Sequence, residues 1–432
     1  MATDATSAPT NLAQGLRVGI VGGSLSGCAT AIELKRAGCD VTVFERSDKP
    51  LKSRGAGISC PPAHLEVMKE RNLVDADLPM VSAQHAQWTI RADDGAPAGR
   101  TLWSTTTNLN SMNWGILFDN HRSRVSDDVY QAGRRVVGMQ DHEHGPVVLE
   151  FDDGERLEFD LVVFADGVNS WGRAQLFPEA RMRYAGYVLW RGTVEEERVP
   201  AEVRDAPPTL EWAVHEEGVC VMYKIPAPGR CSGPRGRLVN WIWYRMLPEE
   251  NLPALFTDRH GRLHQGSIPR GAVREDEVRR MTEDAHRLLR GSVAGVLAAT
   301  SEPFVHGAYD LLNVPSFVRG HACLLGDAAS IPRAHVAAAA VKAQNEAIAL
   351  ANALRTGTTV REALQEWNTE VYPAAERMVD LGKLLGQAQL LDPPDWRTMD
   401  ESGMASWWKD LTSRGQVYYL KDGAAAGRLS PS

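Results

Sequence analysis

Six residues, Gly22-Gly23-Ser24-Leu25-Ser26-Gly27, constrain this chain more than any others. They follow Leu16-Arg17-Val18-Gly19-Ile20-Val21, a short β-rich run that reads as a buried strand. They precede Ala29 to Ala37, where small and apolar residues recur at helical spacing as far as Gly38, a natural helix stop. A second strand, Asp40-Val41-Thr42-Val43-Phe44-Glu45, then ends in an acid. In a β-α-β unit of this kind the first glycine makes the tight turn, and the middle position lets backbone approach a pyrophosphate. The last glycine lets the helix pack closely on the strand. The helix N-terminus turns its free N–H groups and positive dipole end toward the phosphates. Ser24 occupies the middle position, where glycine is usual, and Glu45 stands where a ribose-binding acid is expected, followed by Arg46. Gly22, Gly23, Ser24, Leu25, Ser26, Gly27, Glu45 and Arg46 are therefore candidate dinucleotide-binding residues. The loop by itself does not separate NAD from FAD.

Composition narrows the partners. The chain has 432 residues, 43% hydrophobic and 24% charged, which is ordinary globular usage and long enough for two or three domains. Its net charge of −8 argues against nucleic acid or an anionic membrane as a general partner. Apolar runs are interrupted well before the ~18 residues of a membrane helix. Met1 to Gln14 lacks the basic and apolar regions of a signal peptide, so a cytoplasmic location is expected. The six cysteines, Cys28, Cys39, Cys60, Cys220, Cys231 and Cys323, show no C-x-x-C spacing. They read as reduced, small core residues, with Cys60 alone worth testing for reactivity, and no metal site is expected.

Further along, Val147 to Phe151 and Arg156 to Phe159 flank Asp152-Asp153-Gly154, a hairpin signal, and Asp160 to Ala165 reads as a buried strand. The stretch from 81 to 130 gives no secure assignment. From 181 to 245, β-rich runs with aromatics suggest a mostly antiparallel sheet in a second domain. Glu275 to Leu297 and the Ala-rich His335 to Leu354 read as helices, and the chain beyond 360 as helices and then loop. The fold class expected is α/β.

Two later segments carry a resemblance. Asp160-Leu161-Val162-Val163-Phe164-Ala165-Asp166-Gly167-Val168-Asn169-Ser170-Trp171-Gly172-Arg173 resembles the D-x-x-x-x-A-D-G-x-x-S-x-x-R segment of class A flavin monooxygenases, the para-hydroxybenzoate hydroxylase-like family. Gly326-Asp327-Ala328-Ala329 resembles that family's G-D-A-A, whose Asp contacts the FAD ribityl chain. Four more segments look like the 2,6-dihydroxypyridine 3-monooxygenase branch. They are Ser53-Arg54-Gly55-Ala56-Gly57-Ile58, Tyr184 to Gly192, Asn240 to Arg245 and Pro332-Arg333-Ala334-His335. The resemblance implies a discontinuous Rossmann-type FAD-binding domain over 16–80, 110–180 and 300–355. It also implies an inserted, mainly antiparallel substrate domain over 81–109 and 181–299, and a C-terminal helical segment and tail over 356–432. Two departures stand out: Ser330 replaces the family's usual His, and Ala337-Ala338-Ala339-Ala340 replaces glycines close to the flavin. The family's I-x-R-x-x-L segment, which supplies an FAD-contacting Arg, has no clear match, and Arg122 or Arg124 stands in its place.

The resemblance implies a reaction in which NADPH or NADH reduces FAD and O2 adds at flavin C4a. The hydroperoxide then oxygenates an electron-rich aromatic or heteroaromatic small molecule. It adds Arg54, Gly57, Arg122, Asp166, Gly326, Asp327, Ala337, Ala338 and Ala339 to the FAD contacts. The Ala-rich helix, read as starting near Val336, would turn free N–H groups toward the reduced flavin. His335 is the candidate base for activating a phenol-like substrate, against the plainer reading of a structural histidine. Arg54 and Arg333 are the other catalytic candidates, Arg333 as a clamp for an anionic substrate or a nicotinamide-cofactor phosphate. Tyr187, Trp190, Trp212, Tyr223, Trp241 and Tyr244 are candidates for the substrate pocket, and strand alternation sends half of each run to the other face. Arg191 and Arg245 read as salt-bridged scaffold. A homodimer is the assembly to test. Epoxidation, N-hydroxylation or oxidative rearrangement on the same scaffold, and a non-catalytic flavin-binding protein, remain alternatives. A plain Rossmann dehydrogenase fits neither later motif.

Overall fold

The computed structural model describes residues 11–49, 51, 56–142, 145–229 and 236–413. Strand Arg17–Val21 lies inside a six-stranded sheet, paired in parallel with Leu161–Phe164 on one side and Asp40–Glu45 on the other. Ala322–Leu324 and Tyr130–Ala132 extend it in parallel, and Val318–Arg319 closes one edge antiparallel. The central strands are buried on both faces, which is why they read as continuous apolar runs. Helix Leu25–Ala37 packs against helix Ala339–Thr356 beside this sheet. It ends at Gly38, whose φ of 110° lets its N–H reach the carbonyls of Leu34 and Lys35.

The second sheet has nine strands. Its middle runs Phe304–Leu312, Arg181–Glu195, Arg237–Met246, Gly218–Pro226 and Thr209–His215, all antiparallel neighbours. Val81–Ile90 joins Thr209–His215 in parallel, and Arg100–Asn113 and Gly57–Cys60 follow. The sheet thus reaches outside 81–109 and 181–299, taking in Gly57–Cys60, the end of Arg100–Asn113 and Phe304–Leu312. Its back face packs Trp190, Trp241, Trp243, Cys220 and Met222 against helices Glu275–Leu288 and Gly291–Ala298. The expected single helix over Glu275 to Leu297 is broken at Leu289-Arg290. There the Arg290 guanidinium turns inward onto Glu211, with bonds of 2.6 and 2.7 Å. The unassigned 81–130 stretch supplies two long strands and helix Trp114–Arg122, whose first turn donates the Gly115 N–H to the Asn113 side chain. No helix of the described residues is long and apolar enough to cross a membrane.

The Ala-rich helix also starts later than its composition predicts. Ala334–Val336 forms a 3-10 turn, Ala337 is left-handed with φ 53°, and the α-helix begins at Ala339. A left-handed alanine brings Cβ against its own carbonyl at a cost of about 1 kcal/mol. Ala337→Gly is expected to raise the thermal midpoint, by about 1 kcal/mol of stability, measured against wild type by calorimetry.

Buried histidines tie stability to pH. Burial pushes His121 down to about 4 and His215 to about 3. The His121 ring bonds the Leu117 carbonyl at 3.0 Å, and His215 accepts the Trp243 indole N–H at 2.9 Å. Once unfolded, both rings take up protons below about pH 6.5. Stability is therefore expected to be flat above that pH and to fall continuously as pH drops from 6.5 toward 4. Thermal melts across this range check the sign.

Candidate functional site

A cavity of 360 Å³ lies where the glycine loop faces the front of the nine-stranded sheet. Ser24, Leu25, Ser26 and Asp327 line one side; Trp212, Tyr223, Tyr244 and Arg191 line the other. Arg333, His335 and Ala337 to Ala340 also reach it.

The loop is held in shape by close backbone packing. A Cβ on Gly27 would fall 1.8 Å from the Gly22 carbonyl oxygen, and one on Gly22, at φ 104°, would meet Ala165 O at 2.4 Å. Glu45 is buried: one carboxylate oxygen accepts the Gly23 N–H at 3.0 Å and the other the Ser47 N–H at 2.9 Å. Tyr130 donates its hydroxyl to Gly23 O at 3.0 Å, and the Arg122 guanidinium stacks 4.1 Å from the Tyr130 ring centre. Arg122 thus supports the loop from behind and does not line the cavity. Arg124 is tied to Asp75 and Asn72, and Arg46 is exposed. Arg54 lies outside the described residues.

Asp166 turns away from the cavity. Its carboxylate accepts the backbone N–H groups of Trp171 and Gly172, at 2.7 and 3.1 Å, and so organises the start of helix Trp171–Leu176. Arg173 from that helix donates to the carbonyl of Ala328 at 2.9 Å, joining the A-D-G segment to the G-D-A-A turn. Behind the turn, Lys342 donates to Gly326 O and to Glu346, while Glu346 accepts the Gly326 N–H, all at 2.8 to 2.9 Å. The Asp327 carboxylate lines the cavity. Burial raises its pKa, and Lys342 and Arg173 pull it back down.

On the sheet, alternation sorts the aromatic candidates. Trp212, Tyr223 and Tyr244 face the cavity, with Tyr187 just behind His335. Trp190 and Trp241 do not: both belong to the back-face core, and the Trp241 indole donates to Thr300 at 2.9 Å. His335 Nδ1 pairs with Gln389 Oε1 at 3.1 Å, Nε2 pairs with the Tyr187 hydroxyl at 3.2 Å, and Tyr244 stacks on the ring at 4.2 Å. Burial pushes this imidazole down to about 4, so it is neutral at pH 7. Arg333 is locked bidentate on Asp310, at 2.9 and 2.8 Å. Arg245 pairs with Glu217 and Asp284, but Arg191, expected to be a salt-bridged scaffold, has no carboxylate partner among the described residues. Cys60 is buried, its thiol pushed to about 12, so it is no reactive thiolate.

Sequence reasoning missed Arg191, Trp114 and Gln389 as lining residues. Gln389 sits in a widened π-type turn, Gln387–Leu391, at the end of the long C-terminal helix Val360–Gly386. No local pattern announces that this turn reaches the cavity.

The residues present fit FAD. The Asp327 carboxylate has no side-chain hydrogen-bond donor among the described residues, so a polyol chain would satisfy it. Helix Ala339–Thr356 begins at Ala338 with no side-chain cap and no acid in its first turn, leaving N–H groups open toward an electron-rich ring.

Comparisons with known proteins agree. The FAD binding domain-like family matches residues 184–310, and the pyridine nucleotide-disulphide oxidoreductase family matches residues 17–71. The chain is 30% identical over 360 residues to 2,6-dihydroxypyridine 3-monooxygenase of Paenarthrobacter nicotinovorans, covering 82% of this chain and 86% of that one. It is 28% identical over 419 residues to 3-amino-4-hydroxybenzoate 2-monooxygenase of Streptomyces cremeus, covering 93% and 95%. The solved structure of 2,6-dihydroxypyridine-3-hydroxylase from Arthrobacter nicotinovorans superposes with a TM-score of 0.80 at 26% identity, over 91% of this chain and 97% of that one. With the glycine loop, the G-D-A-A turn and an aromatic-walled sheet meeting at one cavity, the chain belongs to the class A flavin-dependent monooxygenases, on the branch of the 2,6-dihydroxypyridine 3-monooxygenases.

Proposed function

We propose that this enzyme is an NAD(P)H- and O2-dependent hydroxylase of a small electron-rich aromatic or heteroaromatic ring. The observation that carries the reading is the single cavity shared by Ser24 to Ser26, Asp327, the uncapped helix start and the Trp212, Tyr223 and Tyr244 wall. FAD, when bound, would supply the redox chemistry, with NADH or NADPH as hydride donor, one atom of O2 entering the ring and the other leaving as water.

The chain's own residues do the remaining work. Leu25, Ser26 and Asp327 would hold the cofactor's phosphate and polyol end, and the N–H groups of Ala339 and Ala340 would favour negative charge on its ring system. The aromatic wall offers flat apolar area with polar tips and keeps water from the reacting centre. His335 is neutral and accepts the Tyr187 hydroxyl proton in a hydrogen bond while Arg333 faces that tyrosine's ring. We read His335 as fixing the orientation of Tyr187 and Tyr244, and as a proton acceptor only transiently.

Two tests follow. Purified protein is expected to show the visible bands of oxidised flavin, with NADH or NADPH oxidation accelerated by a hydroxypyridine, phenol or indole. A colourless chain that FAD does not reconstitute would overturn the reading. Asp327→Ala is expected to lower flavin retention at least about tenfold, the loss of a charge-assisted hydrogen-bond partner. Because His335 is held near 4, the ligand-stimulated rate is expected to show no histidine ionisation between pH 6 and 8. An acid limb should appear only as His335 gains a proton and Nε2 can no longer accept from Tyr187.

A further inference from the structure

Among the residues lining the cavity, the charged groups are Asp327, Arg333 and Arg191. Asp327 interacts with Lys342 and Arg173, and Arg333 is neutralised by Asp310. Arg191 is left without a counter-ion among the described residues. Its Nη2 makes one long contact, 3.4 Å, to Gly57 O, and its buried Nε has no acceptor. Among the described residues, the nearest carboxylate influence, Glu302, acts on the neighbouring Arg270. Arg270 lies close enough for mutual repulsion, and His306, pushed down to about 3 by burial and by Arg191, is neutral.

Two more orphan groups share this region, and both are donors. Gln389, buried and lining the cavity, gives its oxygen to His335 and leaves Nε2 without an acceptor. Asn240, fully buried on the same sheet face as Arg191, gives its oxygen to the Gly57 N–H at 2.7 Å and leaves Nδ2 without one. A buried donor without an acceptor costs about 1–3 kcal/mol, more when charged. Of the three, Arg191 and Gln389 line the cavity, and on this sheet side both offer donors, which describes what that end of the site is built to receive.

We propose that Arg191 is the substrate-specificity residue of this cavity, binding an anionic oxygen carried by the aromatic substrate, with Gln389 donating a second hydrogen bond to the same ring's polar edge. This rests on the reading of the cavity as an aromatic-substrate site and narrows its substrate class. The ligand is an aromatic or heteroaromatic ring with an ionised ring oxygen or a carboxylate, not a ring that lacks an anionic oxygen. Asn240 holds Gly57, and through it the strand that faces the guanidinium.

The test uses flavin-loaded full-length protein titrated with three probes, a dihydroxypyridine, a hydroxybenzoate and aniline, with binding read from the perturbation of flavin absorbance. Wild type is expected to bind at least one oxygen-bearing probe and to bind aniline at least tenfold more weakly. Arg191→Gln should weaken that probe about 10- to 100-fold, Arg191→Lys should restore part of the loss, and aniline binding and flavin content should not change. Which oxygenated probe suffers distinguishes a ring oxyanion from a carboxylate. The proposal is overturned if Arg191→Gln binds the oxygenated probes as wild type does, or if wild type prefers aniline or binds no oxygenated probe. It is also overturned if Arg191→Gln and Arg191→Lys both lose flavin in parallel with ligand, which would make Arg191 a cofactor contact. Wild type that holds no flavin at all counts instead against the monooxygenase reading.

Discussion

Everything at the site depends on the two-residue period of the nine-stranded sheet. Along Arg181–Glu195, Tyr187, Leu189 and Arg191 face forward while Val188, Trp190 and Val194 face the helices. Along Arg237–Met246, Asn240, Ile242 and Tyr244 face forward while Val239, Trp241 and Trp243 face back. A slip of one residue would exchange the two sets, burying Arg191 in an apolar core and emptying the cavity wall. The back face prevents the slip: its tryptophans fill space against two helices, and Arg290 is fixed there by Glu211. Packing on one side of the sheet therefore sets the chemistry on the other.

The front side is held by buried charges that neutralise one another. Lys342 and Glu346 both grip Gly326, and Arg333 is bound to Asp310. A buried ion pair of this kind adds little net stability, because desolvation offsets most of the attraction. What it does is fix geometry, since either partner alone would be a buried uncompensated charge. The turn bearing Asp327 and the loop bearing His335 are each fixed in this way. Against this background of paired charges, an unpaired Arg191 marks the place where a ligand's charge is needed.

One strained residue lies in the same region. Ala337 keeps a left-handed conformation that glycine would adopt freely, and the helix that follows starts without a side-chain cap. Both features are tolerable because neighbours hold the segment on either side: Val336 N–H bonds Arg333 O, and Lys342 anchors the first turn of the helix. Open N–H groups at that turn are a cost to the isolated fold and an advantage to an electron-rich ring placed against them.

Much of this was legible in the chain. The strand, glycine loop and helix around Gly22 to Gly27 are local: turn geometry, close packing and helix start all lie within a few residues, so spacing specifies them. The G-D-A-A turn and the A-D-G segment are short motifs of the same kind, and they identified the flavin enzyme class. The face of each strand was not legible, because a continuous apolar and aromatic run such as Trp241-Ile242-Trp243-Tyr244 carries no alternation to read. Trp190 and Trp241 therefore read as pocket candidates alongside Trp212, Tyr223 and Tyr244, with nothing in the chain to say which half faces away, and Arg191 reads as scaffold. Nor could spacing show that His335 is buried and neutral, or that Gln389, far along the chain, closes the cavity. The sequence alone determined where a dinucleotide-type glycine loop forms and which family the chain joins, since those signals are contacts between near neighbours. Tertiary structure alone decided which side chains meet, which charges are cancelled and which is left over, since burial and pairing are set by residues distant in sequence.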